Sequence, residues 1–165
     1  MIDGKGEISM EKTNVMRALE QAKTAYTAHY YEAGDAVDGV SVAHKIGFDP
    51  ARVFKTLVTR GPKEILVFVV PSDRELHLKA AAKAAGVKAI EMIHVSEITA
   101  LTGYVRGGCS PVGMKKRYRT FIDQSAQGCE SVIVSAGKLG AQVELLPEDL
   151  RRQTGAAFVR LTEDR

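Results

Sequence analysis

At 165 residues the chain is long enough to bury an apolar core without metal or disulfide staples, and one domain with one core is expected. Apolar residues make up 45% and charged residues 26%, which excludes a disordered chain, and no stretch is long enough to span a bilayer, so no membrane association is expected. The net charge of +3 is too small to announce nucleic-acid binding by itself, and two cysteines without metal or redox spacing read as a reduced, cytoplasmic protein.

Met1 to Ser9 lack the basic-then-apolar pattern of a secretory signal, and Met10 reads as the start; residues 1–9 are expected to be an extension or cloning remnant, and 10–165 the domain. Val15, Met16, Leu19 and Ala22 recur at helical spacing behind a Thr13 or Asn14 cap. Tyr26 to Tyr31 is rich in strand formers and is broken by Gly34 to Gly39; Ser41 is placed to cap a short helix through Ile46, stopped by Gly47. Asp49-Pro50 suits a further helical turn. Val53 to Thr59 and Ile65 to Val70 read as a hairpin around Gly61-Pro62, the second strand apolar throughout as if buried on both faces. Ser72 and Glu75 have capping-box spacing and predict a helix from there to Ala85, stopped by Gly86. A shorter helix is expected over Ser96 to Leu101. Strands follow at Tyr118 to Ile122, Ser131 to Ser135 and Gln142 to Leu146, with a last helix over Pro147 to Gln153. Strands and helices interleave without regular βαβ alternation or repeats, which gives one mixed α/β domain around a curved sheet.

Few residues carry evident chemistry. Lys55 interrupts an apolar strand: it either points to solvent, as strand lysines ordinarily do, or enters a site, and alternation sets Phe54 and Thr56 on the other face. Gly107-Gly108-Cys109-Ser110-Pro111-Val112-Gly113 is either a structural turn or a loop whose backbone amides approach an anion or carbonyl oxygen; it lacks the lysine and hydroxyl residue that end a P-loop. Cys109 reads more simply as a small apolar residue than as a nucleophile, and Cys129 likewise. His29, His44, His77 and His94 have neither metal spacing nor a triad order, so no metal and no cofactor is called for. Lys115, Lys116, Arg117 and Arg119 concentrate positive charge, as a solvated turn or a phosphate contact.

In order and spacing, Lys12-Thr13-Asn14, Phe54-Lys55-Thr56-Leu57, Gly107-Gly108-Cys109-Ser110-Pro111-Val112-Gly113-Met114-Lys115-Lys116 and Val134-Ser135-Ala136-Gly137-Lys138 resemble the YbaK/EbsC family of Cys-tRNA(Pro) deacylases, over nearly the whole chain from Met10. That family is related to the editing domain inserted into bacterial prolyl-tRNA synthetases, so the resemblance implies a central, partly barrel-like mixed sheet flanked by helices. It implies trans-editing of Cys-tRNA(Pro), with Cys-tRNA(Cys) as a further substrate, in which the substrate's own thiol attacks its ester and no cofactor takes part. Lys55, Gly107 and Gly108 would be catalytic, and Tyr31, Thr56, Cys109, Ser110, Pro111 and Ser135 would bind substrate. Strand packing for Tyr31 and Thr56 and a turn cap for Ser135 are equally open. Some relatives carry a carboxylate near Gln142; this chain has an amide there, so Gln142 is not among the candidates. The implied partners are the 3′ acceptor end of an aminoacyl-tRNA and, transiently, prolyl-tRNA synthetase. Two other readings stand beside this one: a deacylase for another small aminoacyl group such as Ala-tRNA(Pro), and a non-catalytic RNA- or nucleotide-binding module using Lys115 to Arg119.

Overall fold

The structure, a computed structural model, describes residues 10–36 and 38–163; the extension expected at residues 1–9 lies outside them. Thr13 accepts the Met16 amide and opens α1 (Asn14–Gln21), which buries Val15, Met16 and Leu19 completely. β1 (Thr27–Tyr30) leads to α2 (Gly39–Ile46). The cap of α2 is Asp38, not Ser41: the Asp38 carboxylate accepts both the amide and the hydroxyl of Ser41 at 2.9 Å, so Ser41 lies inside the first turn. Gly47 ends α2 at φ 79°, and Asp49 caps a single 3-10 turn at Pro50–Arg52.

β2 (Phe54–Arg60) and β3 (Ile65–Pro71) form the expected antiparallel hairpin, with Lys55 opposite Val70. The helix after it, α3 (Leu78–Ala85), begins later than the capping-box spacing predicts. Ser72 is occupied elsewhere, its amide and hydroxyl donating to the Val53 and Pro50 carbonyls at 2.8 Å, so the chain is tied to the start of β2 instead of turning into a helix. His77 takes over as cap, its Nδ1 accepting the Ala80 amide at 3.0 Å. β4 (Glu91–Met92), a 3-10 turn at Val95–Glu97 and α4 (Ile98–Thr102) follow. Then come β5 (Arg119–Asp123), β6 (Val132–Lys138), β7 (Ala141–Leu145), α5 (Pro147–Thr154) and β8 (Ala157–Val159).

The strands make two sheets in one mixed α/β domain: β1-β7-β6, and β4-β2-β3-β5-β8. The second sheet is mixed, antiparallel at β4-β2-β3 and parallel at β3-β5-β8. A bridge between Val53 and Ile133 joins the two, curving them toward a barrel that does not close. β3 is buried on both faces, as its apolar run predicts, and this divides the interior. Val69 packs with Val15, Met16, Leu19 and the inner face of β6 and β7, whereas Leu66, Phe68 and Val70 pack against α3, with Phe68 stacked on Phe121 at 5.5 Å. The single expected core is therefore two main clusters, because alternate residues of one central strand serve opposite faces. Among the described residues no helix is long and apolar enough to cross a membrane.

Candidate active site

The opening of the barrel is a gap along β2. β4 pairs only with Thr59 and Arg60, so among the described residues the first half of β2 has β3 on one side and no strand partner on the other. The Val58 carbonyl bonds outward to the Ile93 amide, away from β3; by antiparallel parity Thr56 also turns its N–H and C=O to that open edge. A cavity of about 400 Å³ lies along the edge, between β2, the α2 N-terminus, the loop 106–109 and the polar face of β6 and β7. Both faces of β2 reach it because it opens at the strand's side, so Lys55 and Thr56 border it together despite their alternation.

Lys55, Thr56, Gly107, Cys109 and Ser135 all line this cavity. Lys55 is partly buried, and its ammonium lies 3.6 Å from Glu75, a carboxylate 95% exposed and free to swing away. Thr56 Oγ1 is buried and has no hydrogen-bond partner among the described residues, an uncompensated polar atom of the kind that ligand or water satisfies. Gly107 sits at φ 82°, the left-handed region that favours glycine, and its amide, like that of Cys109, makes no bond to a described residue. The Ser135 hydroxyl caps the turn by accepting the Gly137 amide at 3.1 Å, and the residue borders the cavity.

The other sequence candidates do not border it. Tyr31 is 3% exposed and packs behind the wall with Ala33, Ala36 and Val42. Gly108 donates its amide to the Val105 carbonyl at 2.9 Å, so it is not a free oxyanion donor. Its lack of a side chain serves packing, since a Cβ there would lie 3.1 Å from the Lys138 Cα and 3.3 Å from the Leu139 nitrogen. Gly108→Ala is therefore expected to destabilise the fold by about 1–3 kcal/mol through overpacking against the β6–β7 turn, read as a lower denaturation midpoint at unchanged slope. Ser110 is fully buried and accepts the Val112 amide at 3.2 Å, while Pro111 lines a separate hollow with Met114 and Lys116. Only the first part of the glycine-rich loop faces the site.

Three further residues line the cavity: Arg106, which the sequence reading missed, Gln142, which it set aside for carrying an amide in place of a carboxylate, and Asp38, whose position near a helix start suits a cap. Arg106 is exposed, makes no ion pair with a described residue and places a second cation beside Lys55. Gln142 is 4% exposed, opposite Ser135 in the β6–β7 register. The alternation of β7 marks it: Ala141, Val143 and Leu145 face the core, whereas Gln142 and Glu144 share the polar face. Asp38 also lines the cavity; the Ser41 amide first, then the Ser41 hydroxyl, hold its carboxyl below the usual range, so its charge is already engaged. Beyond Gln142, Glu144 accepts His29 at 2.8 Å and joins the Ser131 hydroxyl and Arg52, which stacks over Phe48. That network fastens the turn before β2 to the sheet and so fixes where Lys55 stands.

The cavity sets two cations, Lys55 and Arg106, against two carboxylates, Asp38 and Glu75, and the Cys109 thiol among them is not activated. Burial pushes the Cys109 thiol up to about 11, so at neutral pH it is un-ionised and poorly nucleophilic. Cys109→Ser is expected to keep more than about half of the wild-type turnover, whereas loss of about 10²-fold or more would establish an enzyme thiolate. Among the described residues no group of three His, Cys, Asp or Glu is placed to hold a metal.

Comparison with known proteins adds the lineage. The chain is 45% identical over 156 residues to an Enterococcus faecalis protein bearing the provisional name Cys-tRNA(Pro)/Cys-tRNA(Cys) deacylase EbsC, covering 93% of this chain and 95% of that one. It is 27% identical over 93 residues to proline–tRNA ligase of Pelotomaculum thermopropionicum, covering 56% of this chain and 16% of the ligase, so it spans about a sixth of that enzyme's length. In fold it matches, at TM-score 0.80 and 24% identity, a solved structure provisionally described as a trans-editing enzyme for prolyl-tRNA synthetase, covering 93% of this chain and 100% of that one. Residues 34–153, which carry β2, the glycine-rich loop and both strands of the polar face, match the aminoacyl-tRNA editing domain, and the chain belongs to that family.

Proposed function

We propose that residues 10–165 form a trans-acting deacylase that removes cysteine from Cys-tRNA(Pro), with Cys-tRNA(Cys) as a further substrate, the segment 1–9 being dispensable. The observation that carries this reading is the joining, in one cavity, of Lys55, the Gly107 and Cys109 amides, which make no bond to a described residue, and the unsatisfied Thr56 hydroxyl, with the Cys109 thiol beside them un-ionised. Family membership and the name of the E. faecalis relative support it. Such an activity has a physical rationale: cysteine and proline are close in size, and a synthetase pocket separates similar side chains poorly, so a second site must remove the error.

An aminoacyl ester is activated enough to be cleaved by positioning and oxyanion stabilisation. The Gly107 and Cys109 amides hold the carbonyl oxygen, and Lys55 grips the terminal phosphate or ribose as a compact charge. The substrate's sulfur bonds to its own carbonyl carbon, the bond from that carbon to the ribose oxygen breaks, and the thiol proton ends on the ribose hydroxyl. A cysteine thiolactone leaves, which water then opens. No protein nucleophile is consumed.

The test is release of labelled cysteine from Cys-tRNA(Pro) and Cys-tRNA(Cys) at enzyme concentrations far below substrate, with prolyl-tRNA synthetase absent and present. Turnover in both cases supports an autonomous enzyme, turnover only with the synthetase supports a docked one, and binding without turnover sinks the deacylase reading.

A further inference from the structure

A second cavity, of about 520 Å³, lies on the other side of the wall that bounds the first. The two share that wall in two places. Along the segment after β3, Ser72 and Glu75 face the first cavity while Pro71 and Arg74 face the second; before β2, Val53 faces the first and Ala51 the second. Ser72 and Arg74 are two residues apart, so the chain allows at most about 7 Å between their backbones.

The lining of this second cavity is polar and net cationic. Arg160 follows β8, is exposed, and makes no ion pair or side-chain hydrogen bond with a described residue. Arg74 stands at the shared wall and donates one guanidinium nitrogen to the Glu163 carbonyl. Against them stands one carboxylate, Asp123, which is 2% exposed and already engaged: its oxygens accept the Leu161 amide at 2.8 Å, the Thr162 hydroxyl at 3.4 Å and the Ser125 amide at 3.2 Å. Gln124 and Gln127, exposed on the turn after β5, add neutral donors and acceptors at the rim. Two guanidinium groups with free edges beside uncharged amides suit a phosphodiester and the polar edges of an unpaired base, as single-stranded nucleic acid requires.

We propose that this cavity receives the unpaired nucleotides preceding the terminal adenosine of the acceptor end, with Arg74 and Arg160 on their phosphates. The proposal rests on the deacylase reading only in placing the terminal adenosine next door. The acceptor strand crosses the Pro71–Glu75 segment, its esterified tip in the first cavity and the preceding nucleotides in the second. The size fits, since cavities of about 300–1,000 Å³ hold ligands of this scale.

The test compares wild type, Arg160→Ala and Arg74→Ala on Cys-tRNA(Pro) and on the cysteinyl ester of adenosine, which lacks the preceding nucleotides. Arg160→Ala should raise KM for the tRNA about fivefold or more at unchanged kcat, leave the adenosine ester unaffected, and flatten the log–log salt dependence of binding by about 0.7 per lost phosphate contact. Arg74→Ala should do the same, and its melting temperature separates lost binding from the loss of its bond to the Glu163 carbonyl. An unchanged KM for the tRNA, or an equal rise on both substrates, overturns the proposal. A variant silent on free tRNA but impaired in the presence of prolyl-tRNA synthetase makes the cavity a protein-docking face and overturns it too. If wild type cleaves neither substrate yet binds an uncharged acceptor-end oligonucleotide through Arg160, the subsite stands and the deacylase reading falls.

Discussion

Lys55→Ala is expected to lower kcat/KM for Cys-tRNA(Pro) by about 10²-fold or more, the scale of losing a preorganised polar contact at the reacting centre. The charge stands on the half of β2 that lies beyond β4, in a strand whose register against β3 is fixed residue by residue from Phe54↔Pro71 to Arg60↔Ile65, so the strand itself does not wander. The carboxylate paired with it, Glu75 at 3.6 Å, is almost fully exposed, and such a pair contributes little to stability in water. The variant should therefore melt with wild type while losing turnover, a separation that a structural lysine would not give. Lys55→Arg keeps the charge but is not conservative, because a planar fork replaces a compact ammonium, and it should recover only part of the loss. Near-normal turnover of Lys55→Ala would remove Lys55 from the site, whatever else the cavity does.

Helix starts and stops, the hairpin and the doubly buried strand were legible in the sequence because each rests on local chemistry: the Thr13 cap, Gly47 and Gly86 at positive φ, the unbroken apolar run of β3. The misplaced starts of α2 and α3 share a cause. Ser41 and Ser72 both have the right side chain for a cap, but Asp38 opens the helix three residues earlier by accepting the amide of Ser41 itself, and Ser72 is taken by Pro50, which is close only in the folded chain. β4 and β8 are two and three residues long, too short for any period to register, and exist by adding to an edge already built. The site divides in the same way. Lys55 and the loop stood out as exceptions to their surroundings, whereas Arg106, Gln142 and Asp38 are ordinary residues made notable by an open strand edge that only the sheet order creates. Gly108 shows the opposite error: two glycines in a row look like one device, yet Gly107 serves the cavity and Gly108 the packing of a turn.

Discrimination by the attacking group should be as large as the loss of Lys55. If the substrate's own sulfur is the nucleophile, Cys-tRNA(Pro) should be deacylated at least about 10²-fold faster than Ser-tRNA(Pro) or Ala-tRNA(Pro), because intramolecular attack carries an effective molarity that bulk water cannot match. A ratio well above about 10²-fold would exceed what shape gives, because a pocket separates near-isosteric side chains such as cysteine and serine by up to about 10²-fold, and the lining residues Thr56, Ser135 and Gln142 are neutral. The enzyme's own thiol, which burial keeps protonated, does not supply the difference. The measurement is a side-by-side time course on the three charged tRNAs, with the thiolactone trapped by a primary amine. Equal rates on cysteine and alanine esters would mean that water attacks under the Gly107 and Cys109 amides, and the cavity would then be a general editor of small side chains. A large preference without a trapped thiolactone would place the selectivity in binding, and it should then appear in KM and not in kcat.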